Sequence, residues 1–455
     1  MIMMELQMNE KRRLLRVLVF ILIFSVMNAF IFNVALPTIR DEFSLTSADV
    51  SWVLSSYMVV YAIGTVVYGK LADYYSLSRL LTYGLLLLAF GSIIGIFAID
   101  FRMVIVSRIL QASGASVIPT MSMVIPTRFF PEKERGKALG TIAIGMALGT
   151  ALGPIISGVV SEFSNWRVLF TLSLFPLISL PYFKKYLPKT SKKGLKLDYI
   201  GAGLLGVTVA LFLLAITQTN LVYFIFATIL LTFFIIHIYN HSNPFVNFKL
   251  FKNKAYSLML IITFFAASLL FALTFATPLL LNDVYQLSQL SIGLVLFPSA
   301  IIAALLGKRG GKLADKKGNQ FLFYLSVGLL FCCYVLISVF VEIDPIWIMT
   351  ILIFGNVGAT FIRVALSNSI SMTLPQNSVG IGMGFFSMFN FIAGAAATSM
   401  IGAFLEQDSN FTSLLPFEYS NNAALYSNLF LIFTFISILI GVSFAYITRH
   451  HKSNV

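Results

Sequence analysis

Charge is scarce in this sequence. Only 11% of its 455 residues are Asp, Glu, Lys or Arg, where a soluble globular chain carries about 25%, so too little charge is present to cover a water-exposed surface. The shortage falls hardest on acids, 18 against 31 basic residues. A net charge of +13 would point a soluble protein towards nucleic acid; in so apolar a chain it points to membrane topology, and no nucleic acid is expected. Cysteine is nearly absent. The two present, Cys332 and Cys333, are neighbours inside an apolar run, where geometry disfavours a mutual disulfide and no metal-ligand spacing exists, so they read as packing residues. No glycine-lysine-serine/threonine phosphate loop and no nucleophile elbow occur. The chain therefore does not read as an enzyme, and nothing suggests ATP hydrolysis. Among four histidines, His237 and His241 share a helical spacing without further ligands beside them and read as an interfacial pair; neither metal nor cofactor is expected. Period-two alternation is lacking too, which leaves helices to satisfy the backbone in lipid.

What fills the sequence is apolar: 58% of residues are hydrophobic. Runs of about 20 residues, enough to cross ~30 Å of hydrocarbon as helix, recur almost to the carboxyl end. They predict spans at 14–36, 50–68, 80–99, 103–127, 138–160, 166–184, 198–217 and 221–239, then at 257–281, 289–307, 320–341, 345–367, 380–404 and 425–447. The basic cluster Lys11, Arg12, Arg13 precedes a run too long for a signal-peptide core, so the first span is expected to be retained. Lys and Arg gather in alternate connections (the amino terminus, 69–79, 128–137, 184–196, 249–254, 308–317 and the tail with Arg449 and Lys452). Those connections are expected to be cytoplasmic, with both termini inside. The opposite connections carry mostly acids, among them Asp41, Glu42, Asp49, Asp100, Glu162, Asp283, Glu342, Asp344, Glu406 and Asp408.

The pentapeptide GKLAD occurs at Gly69 to Asp73 and again at Gly311 to Asp315. In nearly the same register, Pro131, Gly136 and Gly140 of FPEKERGKALG match Pro375, Gly380 and Gly384 of LPQNSVGIGMG. One six-helix bundle is thus written twice, a plan in which two halves rock about a shared site. The domains expected are an amino-terminal six-helix bundle at 1–186, an inserted transmembrane hairpin with its linkers at 187–256, and a carboxy-terminal six-helix bundle at 257–455. Glycine allows close backbone approach, and the aspartate is suited to accept hydrogen bonds at a neighbouring helix's amino terminus. Two readings stay open for the pentapeptides: paired latches, or loops that only fix topology.

These features resemble the major facilitator superfamily over nearly the whole chain. Its loop signature matches Gly69, Leu71, Ala72, Asp73 and Arg79, and again Gly311, Leu313, Ala314, Asp315, Lys316 and Gly318; Tyr74 and Ser76 replace the usual arginine and glycine of the first copy. RILQASGAS resembles the fourth-span motif of proton-coupled members through Arg108, Gln111 and Gly114, with Ala112 where glycine is usual. GTALGPIISG resembles the fifth-span antiporter motif through Gly149, Gly153, Pro154 and Gly158, with Ser157 in place of a glycine, and that motif implies export. MNAFIFNVALP resembles the first-span signature of fourteen-span drug:proton antiporters at Asn33, Val34, Ala35, Leu36 and Pro37, but Asn28 stands where an aspartate is usual. The layout is also similar to tetracycline exporters of Gram-positive type, whose intramembrane acids align with Ala29, Thr150 and Gly394 here. A multidrug exporter is therefore favoured over a tetracycline pump.

Ionisable groups within the bilayer are functional candidates by default. Arg108 is the first of them; it either faces the interior near the first span, as the resemblance implies, or snorkels to the outer interface. Arg363 reads as snorkelling to the cytoplasm. Proton coupling needs a group whose pKa is set by burial and nearby charge, and the candidates are Asp41, Glu42, Glu162 and Asp283, with Asn28 as a non-titrating partner of Arg108. Polar residues on the repeated spans, Asn28, Gln111, Ser113, Asn356, Ser387 and Asn390, are candidate pocket contacts or, equally, helix-packing groups. With 44 Phe, 18 Tyr and 16 Met, a pocket for flat apolar cations is expected. The whole reads as an all-α membrane protein of fourteen transmembrane helices in the cell membrane. It is expected to act as a monomer, exchanging protons for hydrophobic or cationic drugs and dyes. An importer or facilitator of a small nutrient on the same fold, and a non-transporting membrane sensor, are the alternatives.

Overall fold

The computed structural model describes residues 8–452 apart from 34, 46, 188–197, 219, 242, 243, 247, 406–412 and 418. Val34, most of the linker after the sixth span, Glu406 and Asp408 thus lie outside the described residues, as do the side chains of Pro154 and Glu162. Among the described residues there is no strand, and fourteen helices are long and apolar enough to cross a membrane. In order they are Glu10–Phe30, Trp52–Tyr74, Leu77–Ile96, Phe101–Phe129, Glu132–Val160, Trp166–Tyr186, Tyr199–Ile216 and Leu221–Asn240, followed by Lys254–Asp283, Ser291–Lys317, Asn319–Val339, Pro345–Thr373, Val379–Gly402 and Asn422–Ala445.

Helix boundaries follow the caps and prolines. Asp100 starts the fourth span by accepting the Met103 N–H at 2.7 Å, and Asp198 starts the seventh by accepting that of Gly201 at 2.8 Å, each satisfying an otherwise orphaned amide. The first span is shorter than its apolar run. It ends at Phe30 in a single 3-10 turn, Ile31–Asn33, and a separate short helix, Leu36–Glu42, begins with a proline in its first turn. The sixth span is not one helix either. It is segmented into Trp166–Val168, Leu169–Leu172, Phe175–Ser179 and Leu180–Tyr186, with Pro176 and Pro181 each opening a new segment because proline withholds the donor a continuous helix needs. The GKLAD copies, expected as loops, are instead the closing turns of the second and tenth spans. Lysine, leucine and alanine are strong helix formers, so the helix continues until Ser76 in the first copy, and until Gly318 in the second, whose φ of 86° suits only glycine.

The chain forms two compact units. One comprises Met1–Pro131, Gly149–Asn253 and Thr373–Met388, the other Glu132–Leu148, Lys254–Met372 and Phe389–Val455. In the first unit a buried apolar cluster that includes Phe32, Val53, Val104, Trp166 and Phe170 ties the first four spans to the sixth. The seventh span packs on the eighth and on the second, while the eighth turns Val222, Phe226 and Phe233 outward, as a lipid-facing helix would. In the second unit, Phe323 stacks on Phe444 at 3.8 Å, and Ser338 and Ser427 each donate to the other's carbonyl at 2.8 and 2.7 Å. These reciprocal bonds lock the eleventh span to the fourteenth without leaving a hydroxyl unpaired in apolar surroundings.

Candidate functional site

The two pentapeptides make the same construction twice, each inside one unit. In the first, Asp73 accepts the N–H of Gly380 at 2.9 Å and that of Ile381 at 3.0 Å, at the start of the thirteenth span. In the second, Asp315 accepts the N–H of Gly136 and of Lys137, both at 2.8 Å, near the start of the fifth. A carboxylate on such amides is favoured by hydrogen bonding and by the helix dipole together. Glycine makes the approach possible. A Cβ on Gly69 would sit 2.5 Å from the Gly380 carbonyl oxygen, and one on Gly311 would sit 2.2 Å from that of Gly136, so only hydrogen fits at either crossing.

Arg79 and Lys316, which share the loop signature with these aspartates, are exposed. The cation on Asp73 is Arg128, which donates to Asp73 Oδ1 and, at 2.7 Å, to the Ala72 carbonyl. Arg128 was not singled out in the sequence. In the register that pairs Gly136 with Gly380 its counterpart is Met372, so the two constructions differ in charge.

Arg108 lies in the interior rather than at an interface: it is 0% exposed. Its Nη1 donates to the Asn28 carbonyl and Oδ1, both at 3.3 Å, and to Gln111 Oε1 at 3.0 Å, while Nε donates to the Val53 carbonyl at 3.1 Å. Gln111 in turn donates to Ser92 at 2.9 Å. The guanidinium lies 4.0 Å from the Tyr57 ring centre and 4.5 Å from that of Phe32, a contact worth about 2 kcal/mol or more when desolvated. These hydrogen-bond partners of Arg108 are all neutral. The structure thus brings Asn28, Gln111 and Arg108 into one network, where an aspartate at position 28 would have formed an ion pair. Arg363 is half-buried, and its Nε is buried without a hydrogen-bond partner, so it does not reach freely for an interface.

Gly149 and Gly153 of the fifth span face the same stretch of the first. A Cβ on Gly149 would meet the Ile23 carbonyl at 2.7 Å and Val26 at 2.8 Å, and one on Gly153 the Met27 carbonyl at 3.4 Å. Gly158 faces open space, and the helix runs through Pro154 without a break. Ser113 and Ser387 bond back to their own helices, Asn356 donates to Ser299 at 2.8 Å in the second unit, and Asn390 is half-buried on the thirteenth span.

The acids at the span ends are placed differently from one another. Asp41 is exposed and paired with its neighbour Arg40 at 3.0 Å. Glu42 is clamped: Arg167 donates to both its oxygens at 2.7 and 3.2 Å, and Trp166 Nε1 donates at 2.6 Å. The hydrogen bonds from Arg167 hold its carboxyl below the usual range, Trp166 adding to them against an opposing burial. A group so held stays ionised around neutrality, which suits a structural tie. Because the folded-state pKa is depressed, the tie stabilises above the unfolded value of about 4.3 and is lost as pH falls through the folded value. Glu42→Gln is accordingly expected to lower the melting temperature at pH 7 by about 1–2 °C, on the order of 1 kcal/mol for a partly exposed pair. The difference should vanish in strong acid, with the pH profile of transport unchanged; thermal unfolding at both pH values checks it. Asp283 receives a hydrogen bond from Tyr426 at 2.5 Å and one from Asn282 at 3.0 Å, and has no basic partner among the described residues.

The family model described as Major Facilitator Superfamily matches residues 18–398. The chain belongs to that superfamily. This facilitator is similar to the riboflavin transporter RibZ of Clostridioides difficile (strain 630), with 26% identity over 390 residues, 84% of this chain and 86% of the relative. It is also 26% identical over 330 residues to Multidrug resistance protein 3 of Bacillus subtilis (strain 168), 68% of this chain and 63% of that protein. The crystal structure of the human organic anion transporter MFSD10 (TETRAN) superposes with a TM-score of 0.70 at 15% identity, covering 94% of this chain and 99% of that one. The facilitator fold, a multi-pass membrane protein and transport of small molecules are thereby established for this chain.

Proposed function

We propose that this facilitator is a proton-coupled multidrug exporter that moves hydrophobic, often cationic drugs and dyes out of the cell by alternating access, and so confers antibiotic resistance. In this reading it works as a monomer in the cell membrane with both termini cytoplasmic, and the seventh and eighth spans form a hairpin inserted between two six-helix bundles. One observation carries the reading: the export-associated glycines Gly149 and Gly153 press on residues 23–30 of the first span, the segment that presents Asn28 to buried Arg108. A shift of the fifth span would therefore bear directly on the charged centre. Similarity to a multidrug resistance protein supports the same conclusion. Asp283, half-buried with no described basic partner, is the acid this reading assigns to proton exchange.

A second reading is uptake or facilitated passage of a small nutrient. It is favoured by the neutral surroundings of Arg108, which offer no described carboxylate to a cationic drug, and by the similarity to a riboflavin transporter. Proteoliposomes of known orientation separate the two. Export predicts pH changes on adding dyes, fluoroquinolones or tetracycline, with drug accumulating in inside-out vesicles under a proton gradient. Nutrient flux with no drug response would reject it. Within the first reading, Asn28→Asp is expected to shift the pH dependence of drug-driven proton movement, since it places a carboxylate about one hydrogen bond from Arg108. An unchanged pH profile would show that position 28 takes no part in coupling.

A further inference from the structure

We propose that Asp198, His237 and His241 form a divalent transition-metal site of the zinc class where the seventh span begins and the eighth ends. The sequence offered only the two histidines; folding supplies a third ligand. His237 closes the eighth span and His241 is the first residue past it, so a spacing of four sets both imidazoles on one side, with ring centres 5.2 Å apart. Asp198 reaches them from the other helix, its Oδ1 hydrogen-bonded to His237 Nε2 at 2.9 Å. One ligand atom from each residue lies within 4.8 Å of the other two, so modest rotation of the exposed His241 closes them around an ion.

The carboxylate is prepared for the task. Its side chain is only 2% exposed, yet the Gly201 N–H donates to Oδ1 at 2.8 Å and the Phe245 N–H to Oδ2 at 2.9 Å. Such backbone donors are the outer partners that orient metal-ligating carboxylates. Two imidazole nitrogens and one carboxylate oxygen select zinc, cobalt or nickel over magnesium or calcium, and leave a fourth position for water. The ion takes Nε2 of His237 in place of its hydrogen bond to Asp198, and a neutral ring keeps its proton on Nδ1. Phe245 is bound to the same carboxylate, and the Pro244 carbonyl accepts from Lys70 of the first GKLAD copy at 3.2 Å. An ion here would staple both ends of the helix pair next to that latch.

The test uses the full chain without a polyhistidine tag and with His450 and His451 replaced by alanine, which leaves His237 and His241 as its only histidines. Cobalt should give the visible bands of a four-coordinate centre. Zinc, measured in competition with a chromophoric chelator, should bind at one ion per chain and raise the melting temperature. His241→Ala and His237→Ala should each weaken zinc binding about 100-fold or more and abolish the thermal shift, in line with the loss of a direct ligand. His241 is exposed, so that variant keeps the fold and isolates the metal effect. Absence of the cobalt bands, or zinc bound as tightly in His241→Ala as in its parent, would overturn the assignment.

Discussion

Replacing Arg108 by alanine is expected to bring substrate-driven proton movement down at least about 100-fold, roughly 2.7 kcal/mol, while the protein still inserts and purifies as a folded species. The two halves of that expectation rest on opposing terms. Removing the guanidinium leaves the side-chain oxygens of Asn28 and Gln111 without that donor, at about 1–3 kcal/mol each. It also relieves the chain of a buried charge with no described acid beside it, whose desolvation costs several kcal/mol. These terms largely offset each other, so the fold survives; the charge does not. Arg108→Lys keeps the charge but loses the flat group held between Tyr57 and Phe32, and should recover part of the activity. Flux measured in proteoliposomes, beside circular dichroism and size-exclusion profiles, decides the matter. Full coupling in the alanine variant would remove Arg108 from the mechanism.

The second large effect concerns the aspartates of the two latches, whose amide substitutions should not be equivalent. Asp73→Asn weakens two bonds to backbone amides and leaves partly buried Arg128 without its acid, a loss of about 3 kcal/mol at the lower end for buried pairs because Arg128 keeps some exposure. Asp315→Asn weakens two comparable bonds but strands no salt-bridged arginine, and about 1–2 kcal/mol is expected. Thermal unfolding of the two variants in detergent reads the difference directly. Arg128→Met, which copies the residue at position 372, should reduce the effect of Asp73→Asn to that of Asp315→Asn, since the penalty is shared between partners. Equal losses from the two single variants would show that Arg128 adds nothing to the first latch.

Composition and hydrophobic run length were enough to read the class of the fold and the number of spans, because the bilayer sets a length that sequence must obey. Local irregularities were less legible. The first apolar run continues past Phe30, so hydropathy alone hid the turn at residues 31–33, and Pro176 and Pro181 segment a sixth span that hydropathy reads as one continuous run. The placement of Arg108 turned on 0% exposure, a property of helix packing that spacing from the span end cannot give. Arg128 escaped notice for a similar reason: it reads as one more topology-setting cation until the second span's last turn is seen beside it. Asp198 meets His237 across 39 positions only because two helices fold back on each other, and no local pattern announces that meeting.

The difference between the two latches has a consequence for the order of synthesis. Asp73 leaves the ribosome 307 residues before the Gly380 amide that it binds, a wait of tens of seconds at about 5–20 residues per second. Arg128 follows it by only 55 residues, and so can neutralise the carboxylate while the rest of the chain is still being made. Asp315 faces no such interval, for Gly136 was made 179 residues earlier. The half that is born first carries an early partner that it keeps, and the half that is born last has no need of one.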